Sequence, residues 1–198
     1  MPLRLARSLL VAALFFAALL LVSLPGPARA GGAIWQPEAL VHDMFPTSTQ
    51  VVPTGLDLSA QEQAAVEAST GMRLRAPSWT AWTASTNGKI DGYVIFDHQQ
   101  GQHEPIDFAV QLSPEGVILR HEVVAYRESY GQGIELPAFR QQFVGKTAAD
   151  PMVLGRQIKN ISGATYSSRA MVIGVQRDAA LGQVLVSRQQ AQLANMRP

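Results

Sequence analysis

Asn87 and Gly88 stand between two strand-like runs, Ser78 to Ser85 and Lys89 to Asp97. Both residue types accept positive backbone angles, which suits the two-residue turn whose twist matches that of paired strands. A hairpin is therefore expected there. A second follows, because Ile106, Phe108, Val110 and Leu112 interleave with Asp107, Ala109 and Gln111 before Ser113-Pro114-Glu115-Gly116 turns the chain into Val117 to Arg127. Four consecutive antiparallel strands result, and their apolar side needs a cover.

Helical segments supply it. Glu38 to Phe45 reads as a short helix and Leu58 to Gly71 as a second, opened by Ser59-Ala60-Gln61-Glu62 with the spacing of a capping box and closed by Gly71. Past the strands, Glu128-Ser129-Tyr130-Gly131-Gln132-Gly133 is the densest turn signal, and Pro137 to Val144 reads as a short amphipathic helix. A long helix follows Ser162-Gly163-Ala164-Thr165, with Met171, Val172, Val175, Ala179, Gly182 and Val186 along one side. The expected fold class is α+β, an antiparallel β-meander packed with helices.

Residues 1–30 carry an export pattern. Arg4 and Arg7 precede Leu9 to Leu24, which is apolar except at Ser23, and Ala28-Arg29-Ala30 has the small residues that signal peptidases read. Cleavage after Ala30 is one expectation and an uncleaved anchor the other, since the run of sixteen falls short of the roughly 20 residues that span a bilayer. Either one places the rest of the chain outside the cytoplasm, in the periplasm or on the outer face of the cytoplasmic membrane. The expected division is thus a signal over 1–30, an N-terminal helical segment over 31–75 and a main domain over 76–198.

Residues 1–30 hold three of the sixteen basic residues and none of the fifteen acids, so the remainder has a net charge of −2. A weakly acidic domain without a basic run has no electrostatic basis for nucleic acid as a partner. The chain has no cysteine, which excludes disulfides, zinc thiolates, iron–sulfur clusters and thioether-linked haem. Any redox role needs another cofactor.

The chemistry concentrates in Ser162-Gly163-Ala164-Thr165-Tyr166-Ser167-Ser168. Small residues precede the long helix, which puts Thr165 in its first turn, where several backbone N–H groups lack an intrahelical acceptor. Such an end attracts phosphate. Gly163 and Ala164 leave room for a bulky group, and Ser162, Ser167 and Ser168 offer hydroxyl donors without a neighbouring base. The competing reading of the same residues is a plain Ser/Thr helix cap.

The run resembles the flavinylation motif of the FMN-binding domain family, found in the flavin-carrying subunits of Rnf complexes and of sodium-translocating NADH:quinone oxidoreductases. Two upstream stretches resemble that family in the same order: Glu128-Ser129-Tyr130-Gly131-Gln132-Gly133 is similar to its glycine-bearing turn, and Phe139 to Lys146 to its aromatic segment ending in Gly-Lys. The resemblance implies FMN joined covalently through its phosphate to Thr165 at the start of the C-terminal helix. A flavin transferase would attach it, and Glu128, Ser129, Tyr130 and Gly131 would line one side of it. Tyr130 or Tyr166 is a candidate to stack on the ring. The family's acidic position three residues before Ser162 is Lys159 here, beside Asn160.

The implied role is electron transfer linked to a membrane or periplasmic redox partner, with no catalytic residue of its own. A flavin-dependent reductase of a small acceptor and a non-redox periplasmic binding or sensory module stand as alternatives. Asp97, His98, His103 and Glu104 offer no third nitrogen ligand and make no metal site, and His121 reads as a half-exposed strand residue. No Gly-x-Ser-x-Gly elbow is present.

Overall fold

The computed structural model describes residues 36–196. The expected export segment over 1–30 lies outside the described residues.

The chain opens with helix α1 (Pro37–Met44), passes through short strands β1 (Gln50–Pro53) and β2 (Leu56–Asp57), and enters helix α2 (Ala60–Thr70). Strands β3 (Ser78–Thr86), β4 (Lys89–Gln100), β5 (Pro105–Leu112) and β6 (Ile118–Ala125) follow as the expected meander. A 3₁₀ turn at Gln132–Glu135, helix α3 (Pro137–Arg140), a second 3₁₀ turn at Gln141–Phe143 and helix α4 (Thr165–Asn195) complete it. The amphipathic helix expected from Pro137 to Val144 is therefore one α-helical turn tightened into 3₁₀. The helical segment expected over 31–75 also contains two strands.

Both strands join β3. The sheet order is β1-β3-β4-β5-β6, with β2 pairing the start of β3, and every pairing is antiparallel. Asn87 and Gly88 take φ 53° and 77°, the positive angles the first hairpin requires.

Each face of the sheet has its own cover. Tyr93, Ile95, Phe108, Val110 and Leu112 point to the side covered by α4, where Met171, Val175 and Ala179 are fully buried. Burying a side chain of this size contributes about 1.5–3 kcal/mol. The alternate residues Val94 and Ala109 meet Leu40, Val41 and Met44 of α1 on the other side. There Gln111 is buried, and its Nε2 donates to the Met44 carbonyl at 2.8 Å.

Helix α4 approaches the sheet closely because it carries glycine at the contact. A Cβ at Gly174 would strike the Phe108 ring, and one at Gly182 the Leu112 side chain. Further along α4, Arg188 grips α2 by donating to both carboxylate oxygens of Glu62, at 2.7 and 2.8 Å. The capping box of α2 forms as expected, and the Arg188 guanidinium, together with the Ser59 N–H, pulls the Glu62 carboxyl down to about 2. The 31 residues of α4 extend about 46 Å at the usual rise. Among the described residues, no helix is long and apolar enough to cross a membrane.

Candidate functional site

Thr165 is the first residue of α4, and its side chain is exposed. The N-cap position falls to Ala164, which has no side-chain oxygen, and no side-chain capping bond forms. The cap reading therefore fails at the position where it would have to act. The first backbone N–H of the helix to find its acceptor is that of Ser168, which donates to the Ala164 carbonyl at 2.8 Å. The N–H groups of Thr165, Tyr166 and Ser167 precede it without intrahelical acceptors, the arrangement that favours an anion. Gly163 takes φ 76°, and a Cβ there would meet nothing within 4 Å, so the approach is sterically open.

The three serines of the run have different surroundings. Ser162 is exposed beside Thr165. Ser167 is buried, with its Oγ 2.8 Å from the Tyr126 hydroxyl. Ser168 is fully buried with no hydrogen-bond partner for its Oγ, because its helical position faces the core. The Ser168 hydroxyl expected to face a phosphate is thus withdrawn from the helix end, and that of Ser167 is committed to Tyr126.

The turn that follows β6 packs directly on this helix start. Tyr126 donates to the Tyr130 carbonyl while its oxygen contacts Ser167. Gly131 has φ 97°, and a Cβ there would run into both the Ser167 and the Tyr126 hydroxyl oxygens. Gly133 lies equally close to Ile161 and packs near Ala164. Chain segments some 30 residues apart in sequence are joined here without room for even a methyl group.

Within the turn, Ser129 is exposed and its carbonyl accepts from Gln132 Nε2 at 3.1 Å. Tyr130 is 83% exposed and Tyr166 62% exposed, so both rings stand free at the edge of the site. Glu128, expected to line a cofactor, faces inward instead. Its Oε1 accepts the backbone N–H groups of His103 and Glu104, at 2.8 and 3.2 Å. Burial alone would raise its pKa, but the N–H donors of His103, Glu104 and Gln102 outweigh that and hold it below the ordinary carboxylate range. Glu128 anchors the loop between β4 and β5.

Three contributors escaped the sequence. Asn160 Nδ2 donates to Thr165 Oγ1 at 2.9 Å. Gln142 clamps the backbone of Lys159, accepting its N–H at 2.6 Å and donating to its carbonyl at 3.3 Å. Tyr126 ties the turn to the helix. Gln142 lies within the Phe139 to Lys146 segment already singled out, where Phe139 and Phe143 are fully buried and fix the platform beneath it. No local pattern marks Asn160 or Tyr126, because their partners are set by the packing of separate segments.

Basic residues flank Thr165 along the chain, while burial, and then the nearby carboxylates of Glu128 and Glu135, raise the pKa of Tyr126. No acidic residue occurs between Asp150 and Asp178, whereas Arg156, Lys159 and Arg169 fall in that interval and are exposed. Two cavities lie away from this surface. One of about 780 Å³ sits between the end of α4 and the β3–β4 hairpin, and one of about 670 Å³ lies beside β6 and α3. The latter is lined in part by His121, which is 1% exposed rather than half-exposed. Its ring lies edge-on to Phe108 and Phe143, and burial, reinforced by Arg140, pushes its pKa down to about 3.

Residues 101–180, which contain the turn, the aromatic segment and the start of α4, match the FMN-binding domain family. The G subunit of the ion-translocating oxidoreductase complex of Methanosarcina acetivorans is 35% identical over 92 residues, 44% of this chain and 49% of that protein. The G subunit of the proton-translocating ferredoxin:NAD(+) oxidoreductase complex of Clostridium ljungdahlii is 29% identical over 102 residues, 48% of this chain and 55% of that protein. The chain thus spans about half the length of these curated relatives. The crystal structure of Shewanella oneidensis NqrC superposes with a TM-score of 0.54 at 17% identity, over 80% of this chain and 91% of that one, which shows a shared fold.

Proposed function

We propose that this chain, whose residues 101–180 match the FMN-binding domain family, carries FMN as a phosphoester on Thr165 and serves as an electron-transfer module. The observation that carries the reading is the start of α4: an exposed threonine hydroxyl at a helix end with no side-chain cap, in a stretch of chain that holds basic residues and no acids from 151 to 177. That end is built to hold a phosphate, with Thr165, Tyr166 and Ser167 supplying N–H groups and Ser162 an exposed hydroxyl. Lys159 and Arg169 add positive charge in place of the acid the family motif has three residues before Ser162. Tyr130 and Tyr166 present free aromatic faces against which a planar ring can stack. Bound FMN would supply the electron-accepting and electron-donating chemistry that no side chain here provides. The protein's part is to hold it, orient it and leave one side open.

An open surface around Thr165 suits a docking face between redox partners better than a substrate pocket. A tether also suits a compartment outside the cytoplasm, where a dissociated cofactor is not regained by mass action. The N-terminal export segment over 1–30, the main domain over 76–198, loading by a flavin transferase, and a membrane or periplasmic redox partner belong to the same reading. The names of the two relatives, each a component of an oxidoreductase complex, support the membrane partner.

Intact mass of the chain exported from cells that express a flavin transferase tests it, beside Thr165→Ala. An FMN-sized increment on the native chain that vanishes in the variant is expected. An unmodified native chain, or an increment that survives in Thr165→Ala, overturns the attachment.

A further inference from the structure

Asn160 and Thr165 are both exposed, yet they are joined by a direct bond, Nδ2 to Oγ1 at 2.9 Å. Among the described residues, Asn160 is the one side chain that hydrogen-bonds to the Thr165 hydroxyl. Its backbone is held from both sides. Gln142 clamps the preceding residue through two hydrogen bonds, and the Ala164 N–H donates to the Ile161 carbonyl at 3.0 Å to close the turn after it. The amide is therefore presented by an anchored segment rather than by a free loop.

A threonine near a helix start has more than one accessible side-chain rotamer, because its hydroxyl has several backbone carbonyls within reach. The Ile161 carbonyl, four residues before Thr165, already accepts the Ala164 N–H. An amide N–H aimed at Oγ1 selects one rotamer, and it also sets the direction of the hydroxyl proton, since the lone pair it occupies cannot carry that proton.

We infer that Asn160 is a positioning residue for covalent loading of Thr165: it holds Oγ1 toward the open side of the helix start, with the hydroxyl proton turned away from the amide. The inference rests on the attachment reading above. In the loading step the Thr165 oxygen attacks the flavin-side phosphorus of a flavin adenine dinucleotide. The new oxygen–phosphorus bond forms as the pyrophosphate bond breaks, and the adenylate leaves with the electron pair. The hydroxyl proton passes to a base, and no atom changes oxidation state. Asn160 cannot be that base, since its amide nitrogen donates to Thr165 and does not accept. Among the described residues, no carboxylate or imidazole hydrogen-bonds to Thr165 either, so the base comes from the transferase. Asn160 supplies orientation, and the partner supplies activation.

The test uses the full chain made without a transferase, as native protein and as Asn160→Leu and Asn160→Ala. Three-bond couplings to the Thr165 side chain report its rotamer in the absence of any flavin. One rotamer in the native chain and averaging in both variants is expected, with thermal unfolding unchanged. Loading by purified transferase with flavin adenine dinucleotide, followed by intact mass, should then slow about 3- to 10-fold in the variants, the worth of one hydrogen bond, with the loss in kcat and KM preserved. A native Thr165 that already averages, or variants that load at the native rate, overturns the role of Asn160. A native chain with a fixed rotamer that takes no flavin overturns the attachment reading and this role with it, while leaving the Asn160–Thr165 contact established.

Discussion

Tyr126 and Ser167, 41 residues apart in sequence, place their hydroxyl oxygens 2.8 Å from each other, and Tyr126 at the same time donates to the Tyr130 carbonyl. One phenol thereby joins the end of β6, the glycine-bearing turn and the first turn of α4.

Removing that phenol tests the joint. Ser167→Ala is expected to lower unfolding free energy by about 0.5–1.5 kcal/mol, the usual worth of one hydrogen bond, and Tyr126→Phe by about twice that, because it also removes the donor to the Tyr130 carbonyl. The double variant should lose less than the sum, because both substitutions break the same contact. Urea denaturation of the four proteins measures the cycle, and strict additivity would show that the contact contributes nothing.

Gly131 and Gly163 separate two reasons for glycine. Both have positive φ, but a Cβ meets the Ser167 and Tyr126 oxygens at Gly131 and nothing within 4 Å at Gly163. Gly163→Ala should cost about 1–2 kcal/mol from backbone strain alone. Gly131→Ala should cost distinctly more, because the helix start must also move off the turn. Equal shifts in thermal midpoint would deny the close packing.

His121 makes stability sensitive to acid. Its folded pKa of about 3 lies below the unfolded value of 6.5, so between these two values the unfolded chain takes up a proton that the folded chain refuses. Stability from this group is complete above pH 6.5 and drains as the pH falls toward 3. His121→Leu, measured against the native chain, should gain up to about 1.4 kcal/mol per pH unit on acidification through that window. A stability difference independent of pH would show that His121 titrates normally in the fold.

Asp178 acts in the opposite direction. It is fully buried on α4; burial first, and then the charge of the neighbouring Asp97 and a side-chain hydrogen bond to it, raise its pKa well above the ordinary carboxylate value. The folded chain therefore keeps a proton that the unfolded chain releases, and stability falls as the pH rises above about 4. Asp178→Asn should be more stable than the native chain at pH 8, with the advantage shrinking as the pH is lowered toward 4. Because the His121 and Asp178 effects overlap and oppose, each emerges only as a difference between variant and native. An Asn variant less stable at pH 8 than at pH 4, relative to native, would reverse the assignment.

What was legible from the residues alone is what local physics dictates. Asn87-Gly88 forces a reversal, Ser59 and Glu62 cap each other, alternation from Ile106 to Leu112 makes a strand, and small residues before a helical stripe put Thr165 at a helix start; each depends on neighbours within a few positions. The strands Gln50–Pro53 and Leu56–Asp57 were not legible, since runs of four and two residues carry no measurable period. Nor was the fate of individual polar groups. His121 and Gln111 are buried because α3 with its following turn, and α1, cover the two faces of the same sheet. Glu128 turns inward because the His103 and Glu104 amides wait there, and Ser168 is withdrawn because its side of α4 meets the core. Sequence thus determined the elements, the order of the motifs and the chemistry of the threonine. Tertiary structure decided which side chains surround it, because a hydroxyl or carboxylate finds its partner among distant segments, and only their packing brings Tyr126, Gly131 and Asn160 to the start of α4.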